Sequence, residues 1–247
     1  MTLALYQVDA GELDELAPGD DYLLGGPEGH HAATVRRTSV GERVMVGDGA
    51  GRRITAAVIA AGPGELTLRV EDASIEPEPS PRFVLVQALA KDGRDEDAIE
   101  AATEIGVDGV IPWQAQRSIV QWKGAKAERA LTKWRHVITR ATKQSRRART
   151  PELTPLVSSV ALIERVKGAR LAVVLHESAS EPLAALDLPD DGEVLLVVGP
   201  EGGIADEELA AFAEAGAHLV RLGSTVLRSS SAGPAALAVL SAQARWR

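Results

Sequence analysis

The chain has no cysteine in its 247 residues. That excludes disulfides, thiolate metal sites, iron–sulfur clusters and a cysteine nucleophile. No uninterrupted apolar run approaches the length that crosses a bilayer, and the opening stretch MTLALYQVDAGELDEL lacks both a basic leader region and a cleavage-type apolar core. A cytoplasmic location is the expectation. The five histidines, His30, His31, His136, His176 and His218, show neither HxxxH nor HExxH spacing, so no metal site is expected. Also missing is a GxGxxG turn with an acidic ribose partner at the usual distance, which disfavours a nicotinamide-dependent oxidoreductase.

What is present is an apolar content of 45%, enough for one large core or two smaller ones. The formal net charge of −8 argues, as a sum, against a nucleic-acid partner. Its distribution argues the other way. From Lys123 to Arg149 the chain carries a run of cations that includes Lys133, Arg135, Arg140, Lys143, Arg146 and Arg147, with Glu128 as the single acid. A phosphate backbone meets the local field, and this stretch is strongly positive.

Residues 1–75 read as short strands at Ala4–Val8, Tyr22–Leu24, Arg43–Gly47, Arg53–Ala60 and Glu65–Ile75, with a hairpin turn at Asp48-Gly49 and one or two helical turns over 29–37. This is a small β barrel or sandwich, suited to binding RNA or a partner, or to packing alone. The alternating prolines of 76–81 form an extended linker. From 82 to 247 strands alternate with helices: strands at Arg82–Leu89, Val107–Pro112, Arg170–Leu175, Val194–Val198 and Leu219–Leu222, and helices at Asp95–Ile105, Lys126–Arg147, Val157–Val166, Asp206–Ala215 (capped by Asp206) and Pro234–Arg245. That rhythm implies an α/β fold with a parallel sheet covered on both faces and a ligand crevice outside the strand carboxyl ends.

The stretches EVLLVVGPEGG and HLVRLGSTVLRSSSAGP each end a strand in a glycine-rich or serine-rich turn. Together with Leu175-His176-Glu177 they place three strand-end loops side by side. HHAATVRR, GDGAG, EAATEIGVDGVIPWQAQRS, WRHVITRATKQSRRARTPEL, LHES, VVGPEGGIADEEL and LGSTVLRSSSAGPAAL, in that order, resemble the RsmE-type RNA methyltransferases of the SPOUT superfamily, over nearly the whole chain. The resemblance implies methylation of N3 of a uridine in 16S (small-subunit) ribosomal RNA. It also implies S-adenosylmethionine held bent in a deep trefoil knot of the C-terminal segment, an N-terminal PUA-like β-barrel, and a homodimer sharing its sites.

On that reading the cofactor is held by Leu175, His176, Glu177, Gly199, Pro200, Glu201, Gly202, Gly203, Leu222, Gly223, Leu227, Ser229, Ser231 and Ala232. Backbone amides take the adenine edge, and Leu175, Leu222 and Leu227 enclose its faces. Arg228 is the candidate catalytic residue, stabilising the uridine anion or the cofactor carboxylate. His31, Arg37, Arg117, Arg135, Arg140, Lys143, Gln144, Arg146 and Arg147 are the candidate RNA contacts, with Trp113, Trp122 and Trp134 as stacking platforms. Two departures from the family pattern stand out. Ser230 occupies the place of a common glutamate, and MTLALYQV lacks the usual basic residue. The first keeps open a non-catalytic RNA-binding or ribosome-assembly role on the same fold.

Overall fold

A computed structural model describes residues 3–246. Contacts divide the chain into one unit of Met1–Glu78 with Thr142–Thr150 and another of Pro79–Ala141 with Pro151–Arg247. Of MTLALYQV, which lacks the basic residue, the first two positions lie outside the described residues.

In the smaller unit, period-two alternation makes strands. Ile54, Ala56 and Val58 of one strand and Leu66, Leu68 and Val70 of the next all turn inward, onto Tyr6, Leu13, Leu24 and Val46. Each large side chain buried in this way contributes about 1.5–3 kcal/mol. The elements are β1 (Leu5–Gln7), β2 (Asp21–Leu24), α1 (Gly26–His30), β3 (Arg43–Gly47), β4 (Arg52–Gly62) and β5 (Glu65–Ile75), and the sheet runs β1-β3-β4-β5-β2. Among the described residues of this unit only β1 and β3 pair in parallel. A side chain could not replace Gly29, since its Cβ would lie 2.3 Å from the Leu24 carbonyl oxygen. The β3–β4 turn spans four residues, with Asp48 Oδ1 accepting from the N–H groups of Ala50 (2.7 Å) and Arg52 (3.0 Å).

Residues 142–150 belong to this unit by contact. Lys143 Nζ lies 2.6 Å from Glu28, and Thr150 N–H donates to Gly49 O at 2.9 Å. The sequence expectation ran the second domain unbroken from 82 to 247. Pairing between segments so distant along the chain leaves no local signal.

The larger unit holds an all-parallel sheet of β6 (Arg82–Ala88), β7 (Gly109–Gln114), β8 (Glu152–Leu153), β9 (Val157–Ser158), β10 (Leu171–Leu175), β11 (Glu181–Pro182), β12 (Glu193–Val198) and β13 (His218–Arg221). Its order is β11-β13-β10-β12-β6-β7-β8, with β9 also on β7. Helices α2 (Arg94–Ile105), α3 (Ala125–Ser145), α4 (Ser159–Gly168), α5 (Asp206–Glu214) and α6 (Ser229–Ala244) complete the chain. Apolar runs in β6 and β12 are buried on both faces. Phe83, Leu85, Leu196 and Val198 meet Ile99, Trp134 and Leu237, whereas Val84, Val86, Leu195 and Val197 meet Leu162 and Phe212. Among the described residues no helix is long and apolar enough to cross a membrane.

The strand order sets up the crevice. β13 lies beyond β10, yet α6 packs on α2, β12 and β6. The segment between β13 and α6 therefore passes back across the carboxyl ends of β10 and β12. The far end of α6 is anchored by Arg245, which donates to Gly106 O at 2.8 Å, pairs with Asp108 and lies 4.1 Å over the Phe83 ring.

Three boundaries differ from the sequence expectation in ways that matter. Helix α6 starts at Ser229, five residues before Pro234, so LRSSSAG contributes a helix start rather than a loop. α5 is preceded by Ala205 rather than capped by Asp206, and Glu208 Oε2 accepts the Ala205 N–H at 3.2 Å. Val157–Ser158 forms a short strand, and Ser158 caps α4 by accepting from Ala161 N at 3.4 Å.

Candidate active site

Glycine geometry shapes the loop after β12. Gly203 has φ 74° and its N–H closes a turn on Pro200 O at 2.9 Å. A Cβ on Gly199 would lie 2.6 Å from Ile204 Cγ1. The loop folds beside Leu175, His176 and Glu177 at the end of β10, and beside Val226–Ser229 with Ala232 from the returning segment and α6. Together with Arg94 and Arg117 they enclose a cleft of about 620 Å³. A smaller recess of about 140 Å³ adjoins it, lined by Leu175, Leu222, Gly223 and Leu227 among others, and sharing His176, Glu177 and Ala232 with the cleft.

Thus Leu175, His176, Glu177, Gly199, Pro200, Glu201, Gly202, Gly203, Leu227, Arg228, Ser229 and Ala232 line the cleft, and Leu222 and Gly223 line the recess. Ser231 lines neither; it is an exposed residue in the first turn of α6, and its N–H donates to Arg228 O at 2.9 Å. His176 is fixed, its Nδ1 2.8 Å from Ser178 Oγ and its backbone N–H donating to Val220 O at 2.9 Å.

Arg94 is the residue that sequence reasoning missed. It follows β6 at the same edge of the sheet and donates to Glu201 Oε1 at 3.3 Å, while Lys91 N–H donates to the same oxygen at 3.1 Å. The strand-end rule, extended from β10, β12 and β13 to β6, would have found it. Beside it Asp95 is buried and accepts from the N–H groups of Ala90 (3.2 Å) and Glu96 (2.9 Å). Loss of hydration pushes the Asp95 carboxyl above its ordinary value. Arg117, expected to touch RNA, also lines this cleft and donates to Ile204 O at 3.3 Å, with Asp206 at 3.9 Å. Arg228 is exposed and has no ion-pair partner among the described residues. No group of three or more histidines or carboxylates able to hold a metal occurs among the described residues.

The remaining cations divide between the two units. In the smaller one, His31, Lys143, Gln144 and Arg146 line a hollow of about 240 Å³ with Arg36 and the start of β1. His31 is exposed, with its ring 6.3 Å from Tyr6. Arg37 and Arg146 hold left-handed backbone, at φ 54° and 58°. Arg147 is half-buried, its N–H donating to Thr142 O at 3.1 Å. In the larger unit Arg135 is exposed, and Arg140 pairs with Glu100 at 3.1 Å, as Lys133 does with Glu96 at 2.7 Å. The basic run therefore has acidic neighbours after all, brought to α3 by α2.

The tryptophan expectation needs correction. Trp113, Trp122 and Trp134 are 0%, 8% and 1% exposed, so none offers a face to a base. Trp113 Nε1 donates to Ser159 Oγ at 3.1 Å, and Trp122 packs edge-on to Trp134 at 5.1 Å.

A parallel sheet with a glycine-turned, arginine-edged cleft at its carboxyl ends, joined to a small β unit, has the form of an α/β enzyme with an accessory binding domain. Comparison with known proteins narrows this. The sequence model of the RNA methyltransferase domain matches residues 76–241, and that of the RNA methyltransferase PUA domain matches residues 24–71. A protein of Mycobacterium bovis named ribosomal RNA small subunit methyltransferase E is 44% identical, over 91% of this chain and 87% of its own length. One of the same name from Bacillus subtilis is 26% identical over 90% of each. The solved structure of a putative methyltransferase of Legionella pneumophila with bound SAM superposes with a TM-score of 0.85 at 27% identity, covering 99% of both chains. The chain belongs to this family of RNA methyltransferases, and its fold is the family's mixed α/β fold with an N-terminal PUA domain.

Proposed function

We propose that this chain transfers a methyl group from S-adenosylmethionine to N3 of a specific uridine in 16S ribosomal RNA. The observation that carries the reading is the junction of an apolar recess with an arginine-edged cleft at the carboxyl ends of β10, β12 and β13. Leu175, Leu222 and Leu227 give flat apolar contact for an adenine, and the loop amides give it hydrogen-bond partners. The residues fit such a ligand in a second respect: Ser229 lines the cleft, and its buried hydroxyl lacks a hydrogen-bond partner among the described residues. When bound, the cofactor supplies an electrophilic methyl group. The chain has no cysteine to add to a pyrimidine carbon, which leaves direct transfer to a nitrogen or an oxygen, a step that depends on positioning. Uridine N3 carries a weakly acidic imide proton. Arg228, with no ion-pair partner among the described residues, stabilises the charge that collects on the base as that proton leaves.

The wider reading has a PUA-like domain over 1–75 that residues 142–150 join by contact, a linker over 76–81 and a methyltransferase domain over the rest of 82–247 whose C-terminal segment is knotted. The chain acts in the cytoplasm as a homodimer in which both subunits contribute to each site, and its substrate is the assembled small subunit. Support for RNA contact comes from Arg36, Arg135 and Arg146, which have no ion-pair partner among the described residues. Incubation with labelled S-adenosylmethionine and unmodified small subunits tests this against the non-catalytic reading that Ser230 keeps open. Label in the RNA supports the enzyme; RNA binding without transfer supports the other.

A further inference from the structure

Three carboxylates line the cleft: Glu177, Glu201 and Asp206. Glu177 is exposed, and the Asp206 side chain is 90% exposed beside Arg117. Glu201 differs from both, because its side chain is only 17% exposed and its two oxygens are unequal. Oε1 accepts from both Lys91 N and Arg94, whereas Oε2 has no partner among the described residues. A carboxylate held by one oxygen and open at the other, in the wall of a cleft, is oriented to accept a proton. Glu201 also lines the cleft and not the apolar recess, beside Arg94.

We propose that Glu201 is the general base of the reaction and that Arg94 is its positioning residue. This rests on the cleft being the methyl-transfer site. The N3–H proton of the uracil passes to Glu201 Oε2. The electron pair freed on N3 forms the bond to the methyl carbon as the carbon–sulfur bond breaks, its electrons remaining on sulfur. Glu201 then releases the proton to water. Arg94 and Lys91 N–H keep Oε1 occupied, so that the open oxygen faces the base.

The test is Glu201→Gln, which retains an oxygen acceptor for Lys91 N–H and Arg94 and so leaves the staple between the two loops in place. RNA affinity by direct binding is expected to stay within about twofold of wild type, and cofactor affinity by calorimetry to fall far less than turnover. Turnover at saturation is expected to fall by about 10²–10⁴, the usual range for removal of a general base. The acid limb of the pH–rate profile is expected to vanish. RNA carrying 5-fluorouridine at the target position, whose imide is more acidic, should recover much of the loss. Arg94→Lys should keep more turnover than Arg94→Ala, with the pH profile displaced in both. Glu201→Gln with unchanged turnover, or an equal loss on uridine and 5-fluorouridine RNA, would overturn the proposal. So would a fall in cofactor affinity in step with turnover. Wild-type protein that binds no S-adenosylmethionine would instead remove the reading of the cleft itself.

Discussion

Arg228 and Asp95 carry charge in opposite circumstances. Arg228 stands exposed at the cleft with no ion pair among the described residues, placed to meet an anion. Arg228→Ala is expected to lower turnover about 10- to 100-fold, the loss of one charge-assisted hydrogen bond, with the fold intact. Steady-state kinetics beside calorimetry checks it, and full turnover with unaltered cofactor binding would eliminate the role. Asp95 is buried, and desolvation raises its folded-state value above the ordinary 3.8. Folding therefore favours the protonated form, so this group's contribution to stability is present at pH below 3.8 and is lost as pH rises through the raised value. Asp95→Asn should gain stability relative to wild type as pH rises from below 3.8 through the raised value. Denaturant unfolding at several pH values measures the difference, and a gap independent of pH contradicts it.

Loops and helix ends, more than strand interiors, decide the site. A Cβ on Gly199 would strike Ile204, which is 2% exposed and has nowhere to move. Gly199→Ala should cost about 1–3 kcal/mol and reduce cofactor affinity. Gly223→Ala, where nothing lies within 4 Å, should leave unfolding unchanged, and chemical denaturation of the pair distinguishes them. What sequence made legible follows the same division. The apolar runs of β6, β10 and β12, and the glycine turn after β12, were readable because burial and backbone conformation leave local marks. The start of α6 was not readable, because Pro234 offered a conventional first-turn position and the true start lies at three serines. Likewise Trp122 and Trp134 form an edge-on pair in the core, a partnership that spacing alone does not reveal.

Across the whole molecule, the net charge of −8 conceals how individual cations are used. Lys133, Arg140 and Lys143 are engaged by Glu96, Glu100 and Glu28, whereas Arg36, Arg135 and Arg146 have no such partner among the described residues. Each of the latter that meets a phosphate should, when replaced by alanine, reduce the slope of log affinity against log salt by about 0.7–0.9. Lys133→Ala should change it less. Filter-binding titrations over a salt series read this directly, and a slope insensitive to all the arginines contradicts phosphate contact.

The small β unit and the strand-end cleft together are read as tools for one chemical act on ribosomal RNA. The most direct test is the identity of the modified nucleoside. Small subunits lacking the modification are treated with the protein and S-adenosylmethionine, then digested to nucleosides and resolved by mass spectrometry against standards. The account predicts 3-methyluridine, arising at one position. A methyl group on carbon 5, on ribose or on another base, or none at all, would contradict it.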